Sequence, residues 1–256
     1  MKILRYASGG AIAYGVLEAG GDIRALAGSP FGALDPGPVV ARLAEVHVLA
    51  PVTPSKVFGV GSNFYSHLEG GPAPEFPMLF LKPPTAVIGP EEAIVVPRIA
   101  GPSVDYEAEL AVVIGKPARH VAEADALRYV LGYTVGNDVS AREWQLREMK
   151  LGTLVRGKGF DTFAPLGPVI ETDLDPTDVY IEARVNGEVG HQIRTKGDMI
   201  FSVAALIADI SRACTLLPGD VIMTGTTAYG SVQAGDTIEL TIDGIGTLRN
   251  PVSAEA

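Results

Sequence analysis

Residues 105–116 of the 256-residue chain read DYEAELAVVIGK and have the pattern of a long β-strand. The stretch from Leu110 to Ile114 is entirely apolar, which is typical of a strand covered on both faces. Because side chains alternate in a strand, Glu107 and Glu109 point to one face, roughly 7 Å apart. The sequence therefore predicts a buried strand that presents two neighbouring carboxylates.

Most of the remaining chain also favours strands. In VYIEARV, residues 179–185, apolar and polar residues alternate, which is the period of a half-buried antiparallel strand. The dipeptides Asn186-Gly187 and Asp243-Gly244 predict hairpins. Strands and helices do not alternate regularly, so a doubly wound sheet is disfavoured. The predicted fold class is α+β and strand-rich, with a mixed or antiparallel sheet.

Few segments have the spacing of a helix. The clearest of these segments, residues 198–214, has apolar residues at three- and four-residue intervals and ends before a Pro-Gly pair. The predicted helices span residues 36–43, about 127–131, 140–150 with Ser140 as N-cap, and 198–214.

Two prolines indicate a boundary near residue 50. The stretch 50–54 reads APVTP, and each proline removes a backbone donor and biases its predecessor away from helix. We predict a small N-terminal α/β module at residues 1–50 and a main domain at residues 51–256, which starts near Lys56 once the linker has ended.

The composition is that of an acidic globular protein. Apolar residues make up 47% of the chain, which is enough for a full core. The net charge is −10 and the basic residues are scattered, so we expect neither nucleic acid nor a membrane as partner. No signal peptide or membrane span is evident, so we expect a cytoplasmic protein. Cys214, the single cysteine, is predicted to be a small core residue.

A third acid, Asp138, follows the strand LGYTVGN at a predicted strand-to-helix corner, where ligands often bind. With Glu107 and Glu109 it forms an all-oxygen set, which suits Mg²⁺, Mn²⁺ or Ca²⁺ better than Zn²⁺. Taken alone, the two glutamates are also compatible with a solvated strand end, and Asp138 with a helix N-terminal charge.

Five segments follow one another over roughly residues 56–250: DYEAELAVVIGK, LGYTVGNDVSARE, GKGFDTFAPLGP, GDMIFSVAALI and MTGT. In this order they resemble the fumarylacetoacetate hydrolase family, and in particular its 2-hydroxyhepta-2,4-diene-1,7-dioate isomerase and acylpyruvate hydrolase-like members. The resemblance implies that the main domain is a catalytic β-sheet roll and that the protein is a homodimer. It also implies Mg²⁺ or Mn²⁺ at Glu107, Glu109 and Asp138.

The resemblance implies further site residues. Arg142, Gln145, Lys158 and Thr226 match the family's substrate contacts, and we also count Lys158 among the catalytic groups. Without the resemblance, Arg142 and Gln145 would be read as a solvated helix face and Lys158 as an ordinary loop lysine.

The segment GVGSNFYSHLEG, residues 59–70, resembles the family's mobile lid, where a His and a Glu form a catalytic pair. The matching residues here are His67 and Glu69. They depart from the family's H-x-x-E spacing, because only one residue separates them and side chains two apart on a helical turn do not face each other. The lid as a whole is expected to span Phe64 to Pro77, and Glu75 within it is an alternative partner for His67.

The expected ligand is a small 2-oxo or 2-hydroxydienoic acid, whose carboxylate and keto oxygens can share one cation that stabilises the enolate. Isomerisation and decarboxylation need only polarisation and a proton shuttle, whereas hydrolysis needs an oriented base. The altered lid spacing therefore favours isomerase or decarboxylase chemistry, with 2-hydroxyhepta-2,4-diene-1,7-dioate as the substrate implied by the resemblance. The alternatives are an acylpyruvate (fumarylpyruvate-like) hydrolase, an oxaloacetate decarboxylase or tautomerase, and a catalytically idle protein that binds metal and acid.

Overall fold

The computed structural model describes all 256 residues and contains two β-sheets and three α-helices. The strands are β1 Lys2–Ser8, β2 Ala11–Leu17, β3 Asp22–Leu26, β4 Pro36–Arg42, β5 His47–Leu49, β6 Val57–Gly61, β7 Met78–Lys82, β8 Val87–Ile88, β9 Ile94–Val96, β10 Val104–Ile114, β11 Val130–Asn137, β12 Ser140–Ala141, β13 Ala164–Glu171, β14 Tyr180–Val185, β15 Glu188–Arg194, β16 Val221–Met223, β17 Tyr229–Val232, β18 Thr237–Ile242 and β19 Gly246–Ala254. The α-helices are α1 Arg142–Met149, α2 Arg156–Gly159 and α3 Val203–Ala213. Short 3₁₀ turns lie at Leu43–Glu45, Tyr65–Leu68, Pro84–Ala86, Arg98–Ala100 and Glu123–Tyr129.

The larger sheet has the strand order β4-β3-β2-β1-β13-β11-β10-β16-β6-β7, and β5, β8, β12 and β17 pair with strands of this path. The smaller sheet has the order β15-β14-β18-β19-β9. Most pairs are antiparallel, but three are parallel: β6 with β16, β8 with β13, and β9 with β19. The predicted strand-rich α+β class with a mixed sheet is confirmed.

Strand β10 is the central element of the core. Leu110 and Val112 pack on one side in the larger apolar cluster, together with residues of the smaller sheet and α3. Ala111 and Val113 pack on the other side in a second apolar cluster. Burying one leucine or valine side chain stabilises the folded state by about 1.5–3 kcal/mol. The strand is therefore held from both faces, as its apolar run predicts.

The hairpins and the alternating strand are confirmed. In β14, Ile181 and Ala183 are buried while Glu182 is partly exposed. Asn186 and Gly187 join β14 to β15 with positive φ angles of 54° and 81°, as a two-residue hairpin turn requires. β18 and β19 form the second predicted hairpin.

Helix α3 is shorter than the predicted helix at residues 198–214. The hydroxyl of Ser202 accepts a hydrogen bond from the N–H of Ala205 at 3.1 Å and begins the helix there. Cys214 lies beyond the last helical residue and is exposed, so its predicted core position is wrong. The three- and four-residue spacing of the helix therefore does not predict the burial of Cys214.

Two other helix predictions are wrong. Residues 36–43 do not form a helix, because residues 36–42 form β4, which pairs with β3. Apart from the turn Leu43–Glu45, the first 50 residues contain only strands and loops, so the α/β description of this module is wrong. The helix expected at 127–131 is a 3₁₀ turn that ends at Tyr129, and β11 begins at Val130.

The N-terminal strands continue the larger sheet, because β1 pairs with both β2 and β13. The amino group of Met1 also binds Glu171 at 2.7 Å on β13. A domain boundary at residue 50 stays a prediction. None of the helices combines the length and apolar character needed to cross a membrane.

Candidate active site

The register between β10 and β11 brings the three predicted acids together. Ala108 pairs with Asn137, and the N–H of Asp138 donates to the carbonyl of Glu107 at 3.0 Å. Residues opposite each other on neighbouring strands point to the same face. As a result, one oxygen from each of Glu107, Glu109 and Asp138 lies within 4.8 Å of the others.

This carboxylate cluster has the character of a cation site. Burial, together with the charges of Asp138 and Glu107, raises the pKa of Glu109 well above its usual value. The N–H of Gly225 donates to Glu109 Oε2 at 2.7 Å and orients that carboxylate. Hard oxygen donors at this spacing fit a divalent cation, whose charge would offset the repulsion within the cluster.

Two buried ammonium groups border the cluster. Lys158 Nζ donates to Glu107 at 2.9 Å and to Asp138 Oδ2 at 2.5 Å. Lys82 Nζ donates to Asp138 Oδ1 at 2.5 Å and to the carbonyl of Val139 at 3.1 Å. Burial alone would raise the pKa of Asp138, but Lys158 and Lys82 outweigh it and hold the pKa below its usual value.

Lys82 is not among the site residues predicted from the sequence. A signal was available in the strand MLFLK, residues 78–82, where a single lysine ends an otherwise apolar strand. Lys82 shares a face with Phe80, which is buried, so the alternation places the ammonium group inside the protein. A charged side chain in that position needs a partner of opposite charge.

Arg142 lies where α1 begins and bonds to three acceptors. Its Nε binds Asp105 Oδ2 at 2.6 Å, and its Nη1 binds Gln145 Oε1 at 2.7 Å and Glu107 Oε1 at 2.8 Å. The structure thus places both Arg142 and Gln145 beside the cluster. Asp105 was missed, although its alternation with Glu107 and Glu109 predicts that all three share a face.

Ser140 is not the N-cap of α1, so that prediction is wrong. It lies in β12, and α1 begins two residues later without a side-chain cap. The Ser140 hydroxyl instead donates to Glu107 Oε1 at 3.0 Å. Pairing of β12 with β10 holds the backbone extended at Ser140 and directs its side chain to the carboxylates.

Glu148 fixes the short helix that carries Lys158. Its carboxylate accepts hydrogen bonds of 2.9–3.0 Å from the backbone N–H groups of Val155, Arg156 and Gly157. These are the donors that a helix N-terminus leaves without internal partners. Burial opposes the shift, but the three N–H groups lower the pKa of Glu148.

The lid segment places His67 in the site and its possible partners outside it. Ser66 N donates to Asp198 Oδ1 at 2.8 Å and anchors the turn Tyr65–Leu68, and His67 lines the cavity. Glu69 ends the turn in a left-handed conformation, with φ at 49°. Glu69 and Glu75 are exposed, and neither lines the cavity.

The carboxylates open into a cavity of about 130 Å³. Thr226 lines it from the loop after β16, and its hydroxyl accepts from the N–H of Ala228 at 2.8 Å. An apolar groove of about 730 Å³ lies near β7 and α2, but no carboxylate lines it. The smaller cavity therefore combines the groups needed to hold a cation, bind a small acid and transfer a proton. The predicted site residues in it are His67, Glu107, Glu109, Asp138, Arg142, Gln145, Lys158 and Thr226.

Several known proteins are similar to this chain. A solved 2-hydroxyhepta-2,4-diene-1,7-dioate isomerase from Mycobacterium marinum is 43% identical, with a TM-score of 0.90 over 100% of this chain and 99% of that one. The oxaloacetate tautomerase FAHD2A, mitochondrial, of Homo sapiens is 42% identical over 229 residues, which cover 84% of this chain and 72% of the relative. A maleylpyruvate hydrolase from Sphingobium sp. SYK-6, solved with manganese(II) and pyruvate, is 28% identical, with a TM-score of 0.81 over 100% of both chains.

Two family models match the chain. Residues 1–51 match the model described as Rv2993c-like, N-terminal. Residues 56–253 match the model described as fumarylacetoacetate (FAA) hydrolase C-terminal, which covers most of the chain, including every residue of the carboxylate cluster. The chain belongs to the fumarylacetoacetate hydrolase family.

Proposed function

We propose that this protein is a divalent-metal-dependent enzyme that isomerises a small 2-oxo acid or its enol, with 2-hydroxyhepta-2,4-diene-1,7-dioate as the leading substrate. One observation carries the proposal: three carboxylates converge in a cavity that also holds Lys158, Arg142 and His67. A cation site beside basic side chains is complementary to an acid whose carbonyl must be polarised.

Glu107, Glu109 and Asp138 would hold the cation, and their all-oxygen chemistry favours Mg²⁺ or Mn²⁺. When bound, it would polarise the keto oxygen of the acid and stabilise negative charge on the enolate. The maleylpyruvate hydrolase solved with manganese(II) and pyruvate supports both the class of metal and the class of ligand.

The chain's own groups supply anion binding and proton transfer. Burial would lower the pKa of Lys158, but Asp138 and Glu107 outweigh it and raise the pKa, so the ammonium group stays charged. Arg142 keeps Nη2 without a protein partner and can donate to the carboxylate of the acid. His67 would move a proton between the carbon beside the carbonyl and the enol oxygen.

The lid favours isomerisation over hydrolysis. Hydrolysis of a C–C bond needs a water activated by an oriented base, whereas keto-enol or double-bond isomerisation needs only a proton shuttle. Glu69 and Glu75 do not line the cavity with His67. The isomerase and the oxaloacetate tautomerase among the relatives act in the same chemical class.

The cytoplasmic location expected from the sequence stays a prediction.

A substrate panel tests the proposal. The protein would be assayed with Mg²⁺, Mn²⁺ or chelator on 2-hydroxyhepta-2,4-diene-1,7-dioate, on oxaloacetate for both tautomerisation and decarboxylation, and on an acylpyruvate. We expect metal-dependent isomerisation to be the fastest reaction. Faster cleavage of the acylpyruvate would indicate a hydrolase, and faster decarboxylation of oxaloacetate would indicate a decarboxylase. Either result would contradict the isomerase proposal. Binding without turnover would indicate the catalytically idle protein.

A further inference from the structure

We propose that His191 binds the far carboxylate of a dicarboxylic 2-oxo acid at the mouth of the cavity and so selects diacids over monoacids. The inference rests on the proposed function and names the specificity group of that same site. His191 lies on β15 in the smaller sheet, and its ring is exposed. The link between this ring and the carboxylate cluster is Tyr229.

Tyr229 stands beside the cluster because of strand register. It pairs directly with Glu107 across β17 and β10, so the two side chains share a face. The centres of the Tyr229 and His67 rings are 5.9 Å apart. Arg142 Cζ lies 5.4 Å from the centre of the Tyr229 ring. An arginine at that distance is attracted to the aromatic face. Tyr229 is thus an aromatic platform beside two of the basic groups that line the cavity, His67 and Arg142.

His191 stacks on this platform. The two ring centres are 6.2 Å apart and the planes differ by 13°. The hydroxyl of Tyr106 lies 3.1 Å from His191 Nδ1 and orients the imidazole. A Cβ on Gly190 would lie 2.7 Å from that hydroxyl, and a Cβ on Gly230 would lie 3.1 Å from it. The two glycines therefore leave the space that Tyr106 needs to reach His191.

The hydrogen bond determines what His191 offers to a ligand. The Tyr106 hydroxyl lies within hydrogen-bond distance of Nδ1 and can donate to it. When Nδ1 accepts this hydrogen bond, the ring proton lies on Nε2, which is left as a donor for a ligand. The side chains of His191, His67 and Arg142 all lie beside the Tyr229 ring. The chain has a net charge of −10, so a dianion needs such a local site, whereas a monoacid has no second carboxylate to use it.

Matched ligands test the inference by calorimetry in the presence of Mg²⁺. The probes are 2-oxoadipate and 2-oxohexanoate, which have the same chain length and differ in the far carboxylate. We expect the protein to prefer 2-oxoadipate and His191→Ala to lose about 10-fold of that preference, the usual effect of one hydrogen bond to a charged group. His191→Gln, which keeps an N–H donor, should retain part of it. Affinity for 2-oxohexanoate should not change.

Two further variants complete the experiment. Tyr106→Phe should lose part of the preference, because His191 keeps its ring but not its orientation. His47→Ala removes an exposed histidine on β5 and should leave the preference unchanged. If both acids bind and His191→Ala keeps the full preference, the role of His191 is wrong and the proposed function stands. If neither acid binds the unaltered protein, the proposed ligand class fails, and this inference fails with it.

Discussion

The ammonium group of Lys82 lies 2.5 Å from Asp138 Oδ1, and both residues are buried. Burial lowers the pKa of Lys82, although the charge of Asp138 opposes the shift. We expect Lys82→Met to lower the free energy of unfolding by about 3–5 kcal/mol, because it leaves Asp138 without one of its two counter-charges. Urea denaturation at pH 7 in the presence of chelator measures this.

The control for Lys82 is Lys196→Met. Lys196 is exposed and pairs with Asp178 at 3.0 Å on the surface. An exposed pair contributes little to stability, so this variant should be almost as stable as the unaltered protein. Equal losses in both variants would show that the buried pair has no special effect on stability.

Each carboxylate of the cluster should be required for metal binding. Glu107→Ala, Glu109→Ala or Asp138→Ala leaves two ligands and an incomplete site, so we expect no measurable Mg²⁺ or Mn²⁺ binding by calorimetry. Glu123→Ala, in an exposed 3₁₀ turn, is the control. Chelator should also lower the melting temperature of the unaltered protein. Unchanged affinity in the cluster variants would mean that the metal binds elsewhere.

His67 and Glu69 should differ in their effects. We expect His67→Ala to spare metal binding and to lower kcat by about 10²- to 10⁴-fold, the usual contribution of a proton-transfer group. Glu69→Gln should change kcat little, since Glu69 does not line the cavity. The assays use 2-hydroxyhepta-2,4-diene-1,7-dioate, oxaloacetate and an acylpyruvate. A large loss in Glu69→Gln confined to the acylpyruvate would contradict the isomerase proposal.

Glu148 should make stability depend on pH. Its folded pKa is lowered, so its contribution is complete above the usual glutamate value of about 4.3 and is lost as the pH falls through the folded pKa. We expect Glu148→Gln to lower the free energy of unfolding by about 1–3 kcal/mol at pH 7. The difference from the unaltered protein should shrink below pH 4. A difference that is constant from pH 7 to pH 3 would contradict a role for the charge.

We also propose the homodimer that the family resemblance implies, with β7 at the interface. β7 is the last strand of the larger sheet, and Leu81 on it is 49% exposed. Exposed apolar side chains on an edge strand favour association. Light scattering should give twice 26.8 kDa. Leu81→Glu should shift the mass towards the monomer, while Ile12→Glu, at an exposed position on β2, should not. A monomeric unaltered protein would reject the dimer.

Local rules account for what the sequence predicted correctly. The alternation of side chains in a strand is a property of the backbone, so Glu107 and Glu109 share a face wherever the strand lies. Alternation also identifies the two faces of β14, while the unbroken apolar run of β10 identifies a strand buried on both faces. The turn at Asn186-Gly187 depends only on residues that adopt positive φ.

The secondary structure of short segments depends on the strands with which they pair. The spacing of Val39, Val40 and Leu43 fits a helix, yet pairing with β3 makes residues 36–42 a strand. A short apolar run does not distinguish the two periods, and tertiary pairing selects one. Ser140 likewise matches an N-cap by type, but pairing of β12 with β10 directs its hydroxyl to Glu107.

The sequence by itself determined a strand-rich fold and the oxygen ligands of a cation site, because residue type and period carry that information. Only the tertiary structure decided which distant groups complete the site. Lys82 reaches Asp138 because β6, the neighbour of β7, also pairs with the distant strand β16. His191 reaches the Tyr229 ring although their strands belong to different sheets. Such contacts depend on which strands become neighbours, and no local pattern of residues encodes the distance between them.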